Sequence, residues 1–99
     1  MTAKLRLGVV FGGQSVEHEV SVVSAMELLQ AADPARFETV PFGVTREGRW
    51  LTPAETRAQL DRPDAPFQKR IEADVPPLLD RGDVLGALRQ VDAVFPLVH

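Results

Sequence analysis

Leu5-Arg6-Leu7-Gly8-Val9-Val10-Phe11-Gly12-Gly13-Gln14-Ser15-Val16-Glu17-His18-Glu19-Val20-Ser21 is the stretch from which the fold can be read. The apolar run from Leu5 to Phe11 has the composition of a strand buried on both faces of a parallel sheet. A diglycine follows, and then a segment of helical periodicity from about Val16 to Ala32. Glycine at that junction lets the backbone turn sharply and lets a ligand come close. Glu17 and Glu19 fall in the first turn of the helix, where the macrodipole favours negative charge. A strand, a glycine turn and a carboxylate at the carboxyl edge of an α/β sheet is where such folds bind ligands.

Outward from that core the chain alternates strand and helix signals. The first strand is expected over Thr2–Phe11. The helix after it carries Val22, Ala25, Met26, Leu29 and Ala32 at the spacing of one apolar face, widened at its start by Val16, Val20 and Val23. Asp33-Pro34 stops it. Phe37–Val44 reads as a second strand, with Pro41 marking an edge or a bulge. Residues 45–49 form a turn, and Trp50-Leu51 starts a short return strand. Thr52-Pro53 is a cap followed by proline, so a helix is expected from Pro53 to about Leu60. Residues 61–77 are proline-rich and weakly periodic and read as a loop. A short helix over Asp83–Arg89 and a last strand over Val91–Val98 follow, the strand near-continuously apolar and expected at the centre of the sheet. The fold class is α/β, an open and mainly parallel Rossmann-like sheet flanked by helices.

Composition narrows the possible functions. With 99 residues the chain is one small domain, residues 1–99, or a piece of a larger protein. A net charge of −3 supplies no basic patch, which argues against nucleic acid as a partner. No apolar run reaches the ~18 residues of a membrane span, and the glycine turn after Lys4 and Arg6 leaves no room for a signal peptide. The absence of cysteine removes disulfides and thiol chemistry and fits the cytoplasm.

Among polar residues, Glu17 is the strongest candidate for a function. A carboxylate at a helix start can pair with the ammonium group of a bound amino acid through a charge-assisted hydrogen bond. Its plainer role is compensation of the helix dipole. Ser15 reads as the helix cap, lacking the reciprocal Glu of a capping box. Gly12 and Gly13 are turn residues whose missing side chains leave space. His18 has only His99 as a second imidazole, so metal binding is disfavoured and a surface or loop-contacting role is expected. Ser21 is expected to link neighbouring polar groups of the site. Trp50 and Phe42 read as packing residues, and Arg6, Arg46 and Arg49 as solvated charges.

The string Gly12-Gly13-x-Ser15-x-Glu17-His18-Glu19-Val20-Ser21 resembles the N-terminal motif of the D-alanine–D-alanine ligases, members of the ATP-grasp group. Leu5–Phe11 is similar to that family's first strand. Arg36-Phe37, Gly43-Val44 and Gly48-Arg49-Trp50 resemble its second strand and the hairpin after it. Asp92–His99 resembles the strand that leads into its His-Gly-x-x-Gly-Glu-Asp-Gly loop. The middle, about Pro53 to Leu79, carries no such likeness. The resemblance implies a pre-ATP-grasp-type N-terminal domain, with ATP-grasp central and C-terminal domains expected downstream. It implies that Glu17 is the active-site glutamate anchoring the amino group of the first D-alanine. It also implies that Val20 touches that substrate and that His99 helps position it. ATP and Mg2+ (or Mn2+) are then the implied cofactors, bound by the other domains, with no cofactor or metal ligand in this segment. D-Alanine and ATP are the implied partners, a homodimer the implied assembly, and a cytoplasmic step of peptidoglycan precursor synthesis the implied task.

Three other readings compete. Ligases that make D-alanyl-D-lactate share the motif, and the residues choosing the second substrate lie downstream. A Rossmann-type dinucleotide binder would need a spaced three-glycine pattern and an acidic residue closing the second strand; Gly12-Gly13 and residues 42–45 supply neither. A small non-enzymatic α/β binding module needs no downstream loop, so the continuation of the reading frame past His99 separates it from a ligase.

Overall fold

The computed structural model describes residues 4–14, 16–66 and 69–97. Three parallel strands form its sheet: β1 (Leu5–Gly12), β2 (Phe37–Val44) and β3 (Ala93–Pro96), in the order β2-β1-β3. Helix α1 (His18–Ala31) connects β1 to β2. Helix α2 (Pro53–Leu60), a 3-10 turn over Leu78–Asp80 and helix α3 (Gly82–Leu88) carry the chain back to the far side of β1. Short parallel strands joined through helices are the arrangement expected from the alternating signals.

The strand register sorts side chains onto two faces. Val9 pairs with Pro41, Val10 with Phe42 and Phe11 with Gly43. Val9 and Phe11 point to the layer of α1 and α2, where Val22, Ala25, Leu51, Leu60 and Ile71 complete a buried cluster. Val10, Val40, Phe42 and Val44 point the other way, against Val84 of α3. Phe11 and Phe42 are wholly inaccessible to solvent, and burying each side chain is worth roughly 1.5–3 kcal/mol. Phe42 is thus a packing residue, as expected, and Trp50 packs against the same cluster.

Several local boundaries agree with the sequence. β2 spans the expected residues, and its edge position suits Pro41, which has no N–H for a further ladder. α2 begins and ends where the Thr52-Pro53 signal puts it. The Thr52 hydroxyl accepts from the Glu55 amide, and the Glu55 carboxylate accepts from the Thr52 amide, closing a capping box. The turn after β2 has Gly48 at a φ of 82° and a hydrogen bond from its amide to the Thr45 carbonyl. Trp50 makes only an isolated antiparallel bridge to Val44, so the return strand is reduced to one contact.

Three expectations are corrected. β1 begins at Leu5, with Lys4 outside it, and runs one residue further than expected, to Gly12. Val16, Val20 and Val23 do not widen the buried face of α1 but stand 99%, 59% and 40% exposed. At about 100° per residue Val20 lies nearly opposite Val22, and the side that holds Val22 and Ala25 is the one that meets the sheet. β3 is not central: it is four residues long, lies at the edge, and is exposed throughout, with Val94 and Phe95 about half accessible. β1 takes the centre because β2 and β3 pair with its two sides. An apolar run reports the burial a strand is suited to, not its place in the order.

A polar cluster joins α2 to α3. Arg81 is almost wholly buried and pairs with Glu55 and with Asp83 (3.2 Å). Burial alone would raise the Glu55 carboxyl, but the Thr52 amide and the Arg81 guanidinium together hold it below the usual carboxylate range. The hydrogen bond from Arg81 holds the Asp83 carboxyl low as well. Groups with lowered folded values add stability that is present above their unfolded values, about pH 4, and is lost as pH falls through the folded ones. Replacing Arg81 by Met should therefore lower the melting temperature at pH 7 by about 4–8 °C, the shift that a loss on the order of 1 kcal/mol produces in a domain of this size. The gap from the parent should narrow towards pH 3. Melting curves from pH 3 to 7 check this; a gap independent of pH would assign the effect to packing instead.

Candidate functional site

The carboxyl end of β1 is where the glycine turn meets the start of α1. Gly12 and Gly13 have φ of 91° and 94°, in the left-handed region that glycine enters without strain. A Cβ on Gly12 would stand 2.2 Å from the Val44 carbonyl oxygen, so no other residue fits there. The Gly13 amide donates to that same carbonyl at 2.8 Å, which folds the turn onto the end of β2. The diglycine thus serves the turn, as expected.

His18 closes the turn from the helix side. Its ring is wholly buried, and Nδ1 lies 2.8 Å from the Gly13 carbonyl oxygen. A carbonyl only accepts, so Nδ1 carries the proton. Nε2 is buried with no hydrogen-bond partner among the described residues. The loop contact was expected; a surface position was not, and the reason is that the ring fills the space beside Gly12.

Glu17 occupies the N-cap position of α1, exposed to solvent, with φ −92° and ψ 17°. The cap thus falls two residues later than expected at Ser15, which lies outside the described residues. Glu17 makes no capping hydrogen bond with its side chain; its carbonyl receives the Ser21 amide at 2.9 Å. Val20 stands one turn along and is exposed, so Glu17 and Val20 are neighbours on the first turn of the helix. His99 lies outside the described residues. Leu97, two positions before it, is tied to β1 by a hydrogen bond from its amide to the Val10 carbonyl at 2.7 Å.

Some contacts had no signal in the sequence. Glu19 pairs with Arg46 at 3.1 Å, and the Gln14 side-chain Nε2 donates to the Glu47 carbonyl at 3.2 Å. Together they draw the turn after β2 against the start of α1. Arg46 is therefore paired rather than simply solvated. So is Arg6, which meets Glu38 at 3.4 Å and donates to the Gln90 carbonyl at 3.0 Å. Beside Arg46 an open cleft of about 510 Å³ is lined by Glu47, Arg49, Glu72, Ala73 and Asp74.

A parallel sheet flanked by helices, with a glycine turn and an acidic helix start at the carboxyl end of its central strand, defines an open-sheet α/β domain, a class whose ligands bind at that edge. The sequence pattern of the family described as "D-ala D-ala ligase N-terminus" matches residues 6–99, and the chain belongs to that family. A D-alanine–D-alanine ligase of Mycolicibacterium vanbaalenii is 40% identical over 112 aligned positions, covering 100% of this chain and 30% of the relative. One from Halothermothrix orenii is 37% identical, covering 98% of this chain and 27% of its own length. The chain thus spans less than a third of these relatives. Among solved structures, the VanG D-Ala:D-Ser ligase of Enterococcus faecalis superposes with a TM-score of 0.60 at 21% identity, over 98% of this chain and 29% of that one. That likeness bears on the fold, which is the open parallel sheet expected from the sequence.

Proposed function

We propose that this chain is the N-terminal domain of an ATP-dependent ligase that joins two D-alanines, with ATP-grasp central and C-terminal domains following it. In this reaction ATP phosphorylates the carboxylate of the first D-alanine. The amine of the second then attacks the acyl phosphate, forming the peptide bond and expelling phosphate. Positioning and electrostatics do much of the work in such a transfer. The observation that carries the reading is the family match over residues 6–99, with the motif from Gly12 to Ser21 lying at the carboxyl end of the central strand.

In this reading the domain supplies one wall of the first amino-acid site. Glu17 pairs with the substrate ammonium group, Val20 touches the substrate, and His99 positions it. ATP and its metal are assigned to the other domains; among the described residues no three His, Asp or Glu gather as a metal site. No helix among the described residues is long and apolar enough to cross a membrane. A homodimer working in the cytoplasm on a peptidoglycan precursor completes the proposal. D-Lactate as the second substrate is the alternative within the family.

The test is an assay of the complete protein with ATP, Mg2+ and D-alanine, reading phosphate release and the dipeptide product, with D-lactate as a competing acceptor. Dipeptide formed in proportion to phosphate is expected. Residues 1–99 alone should give neither product nor a calorimetric signal with ATP–Mg2+. Saturable ATP binding to that segment in the micromolar range would overturn the assignment of the nucleotide site to other domains.

A further inference from the structure

We infer that Ser21 is a positioning residue for the first amino-acid site: its hydroxyl clamps the end of β1 and the exit of β3 to the helix that begins at Glu17. Ser21 lies in the first turn of α1 and is 2% exposed. Its Oγ accepts the Gly12 amide at 2.9 Å and donates to the Leu97 carbonyl. One hydroxyl has one proton to give and lone pairs to receive, so this Ser uses its donor and an acceptor on two different chain segments.

Each of those segments is fixed on its other side. Gly12 is held by its pairing with Val44, and Leu97 by its amide bond to Val10. The Ser21 amide in turn reaches the Glu17 carbonyl at 2.9 Å. Ser21 therefore ties three things together: the glycine turn, the helix cap that carries Glu17, and the backbone two residues before His99. This hydroxyl joins α1 directly to the exit of β3. β3 itself is short and exposed, so the placement of Leu97 just after it depends on such a tether. A helix held by apolar packing through Val22, Ala25, Met26 and Leu29 could still slide or tilt by a fraction of a turn, because such packing is non-directional. A buried hydrogen bond from the Gly12 amide and a partly buried one to the Leu97 carbonyl oppose that motion.

The inference rests on the ligase reading, since the site it positions belongs to that reading. The experiment compares the complete wild-type protein with Ser21→Ala and Ser21→Cys. Steady-state kinetics vary D-alanine and ATP separately, and hydrogen exchange follows peptides covering residues 8–13 and 93–97. For Ser21→Ala the KM of the first D-alanine should rise about tenfold, as for the loss of a buried hydrogen bond, while the KM for ATP stays within about twofold. Exchange should quicken in both peptides. Ser21→Cys, nearly the same size and able to make weaker bonds, should fall between, and answers the question if Ser21→Ala fails to fold. Faster exchange with an unchanged D-alanine KM would overturn the positioning role. A wild-type protein without D-alanine-dependent turnover would overturn the ligase reading, and this inference with it.

Discussion

Replacing Gly12 by Ala should destabilise the protein more than a methyl added to Gly8, Gly43, Gly48, Gly82 or Gly86. The new Cβ would lie 2.2 Å from the Val44 carbonyl oxygen, a backbone atom of a paired strand that cannot swing aside, and 3.1 Å from the His18 ring. The φ of 91° is itself unfavourable for alanine. Strain of that kind costs about 1–3 kcal/mol, and the clash adds to it, since relief requires moving either β2 or the buried imidazole. The total should exceed ~3 kcal/mol, a large part of the ~5–15 kcal/mol that stabilises a typical domain. Gly86→Ala is the comparison. It lies within α3 with nothing within 4 Å of its added Cβ, so it should be neutral or stabilising by up to about 1 kcal/mol. Urea unfolding of the two variants beside the parent measures both. A Gly12→Ala midpoint equal to the parent's would mean that the turn relaxes freely and has no fixed geometry to hold.

Glu17→Gln should raise the KM for the first D-alanine about ten- to a hundredfold in the complete protein. That range corresponds to roughly 1.5–3 kcal/mol, the usual worth of a hydrogen bond to a charged group. Gln keeps the size and an acceptor oxygen but loses the charge that attracts an ammonium group. The KM for ATP should change little, because the proposed nucleotide site lies on other domains. At the exposed N-cap position the lost charge also removes a dipole contribution to folding of about 0.3–1 kcal/mol. Kinetics with each substrate varied in turn separate these effects. D-Alanine kinetics identical to the parent's would remove Glu17 from the site.

Much of the backbone was legible from short-range signals. The boundaries of β2 and α2 coincide with those expected because each is fixed within a few residues: Asp33-Pro34 before β2, and Thr52, Pro53 and Glu55 at the start of α2. The diglycine turn belongs to this class, since only glycine accepts its positive φ at no cost. The motif from Gly12 to Ser21 was equally readable, being contiguous, and the family it resembles is the one to which the chain belongs.

What remained hidden depends on contacts between residues far apart in the chain. Apolar periodicity marked Val20 and Val23 as candidates for the core without saying which side of α1 would meet the sheet. It marked residues 91–98 as strand, yet β1 became the central strand because both neighbours pair with it. His18 reads as an ordinary helix-start histidine until Gly12 and Gly13 fold back and enclose its ring. The Ser21 hydroxyl finds its acceptor 76 residues away, on Leu97. Short-range preferences come from steric and hydrogen-bonding limits that act within a turn of chain. Burial and long-range polar pairing exist only once the layers have packed, and so they belong to the assembled sheet and helices.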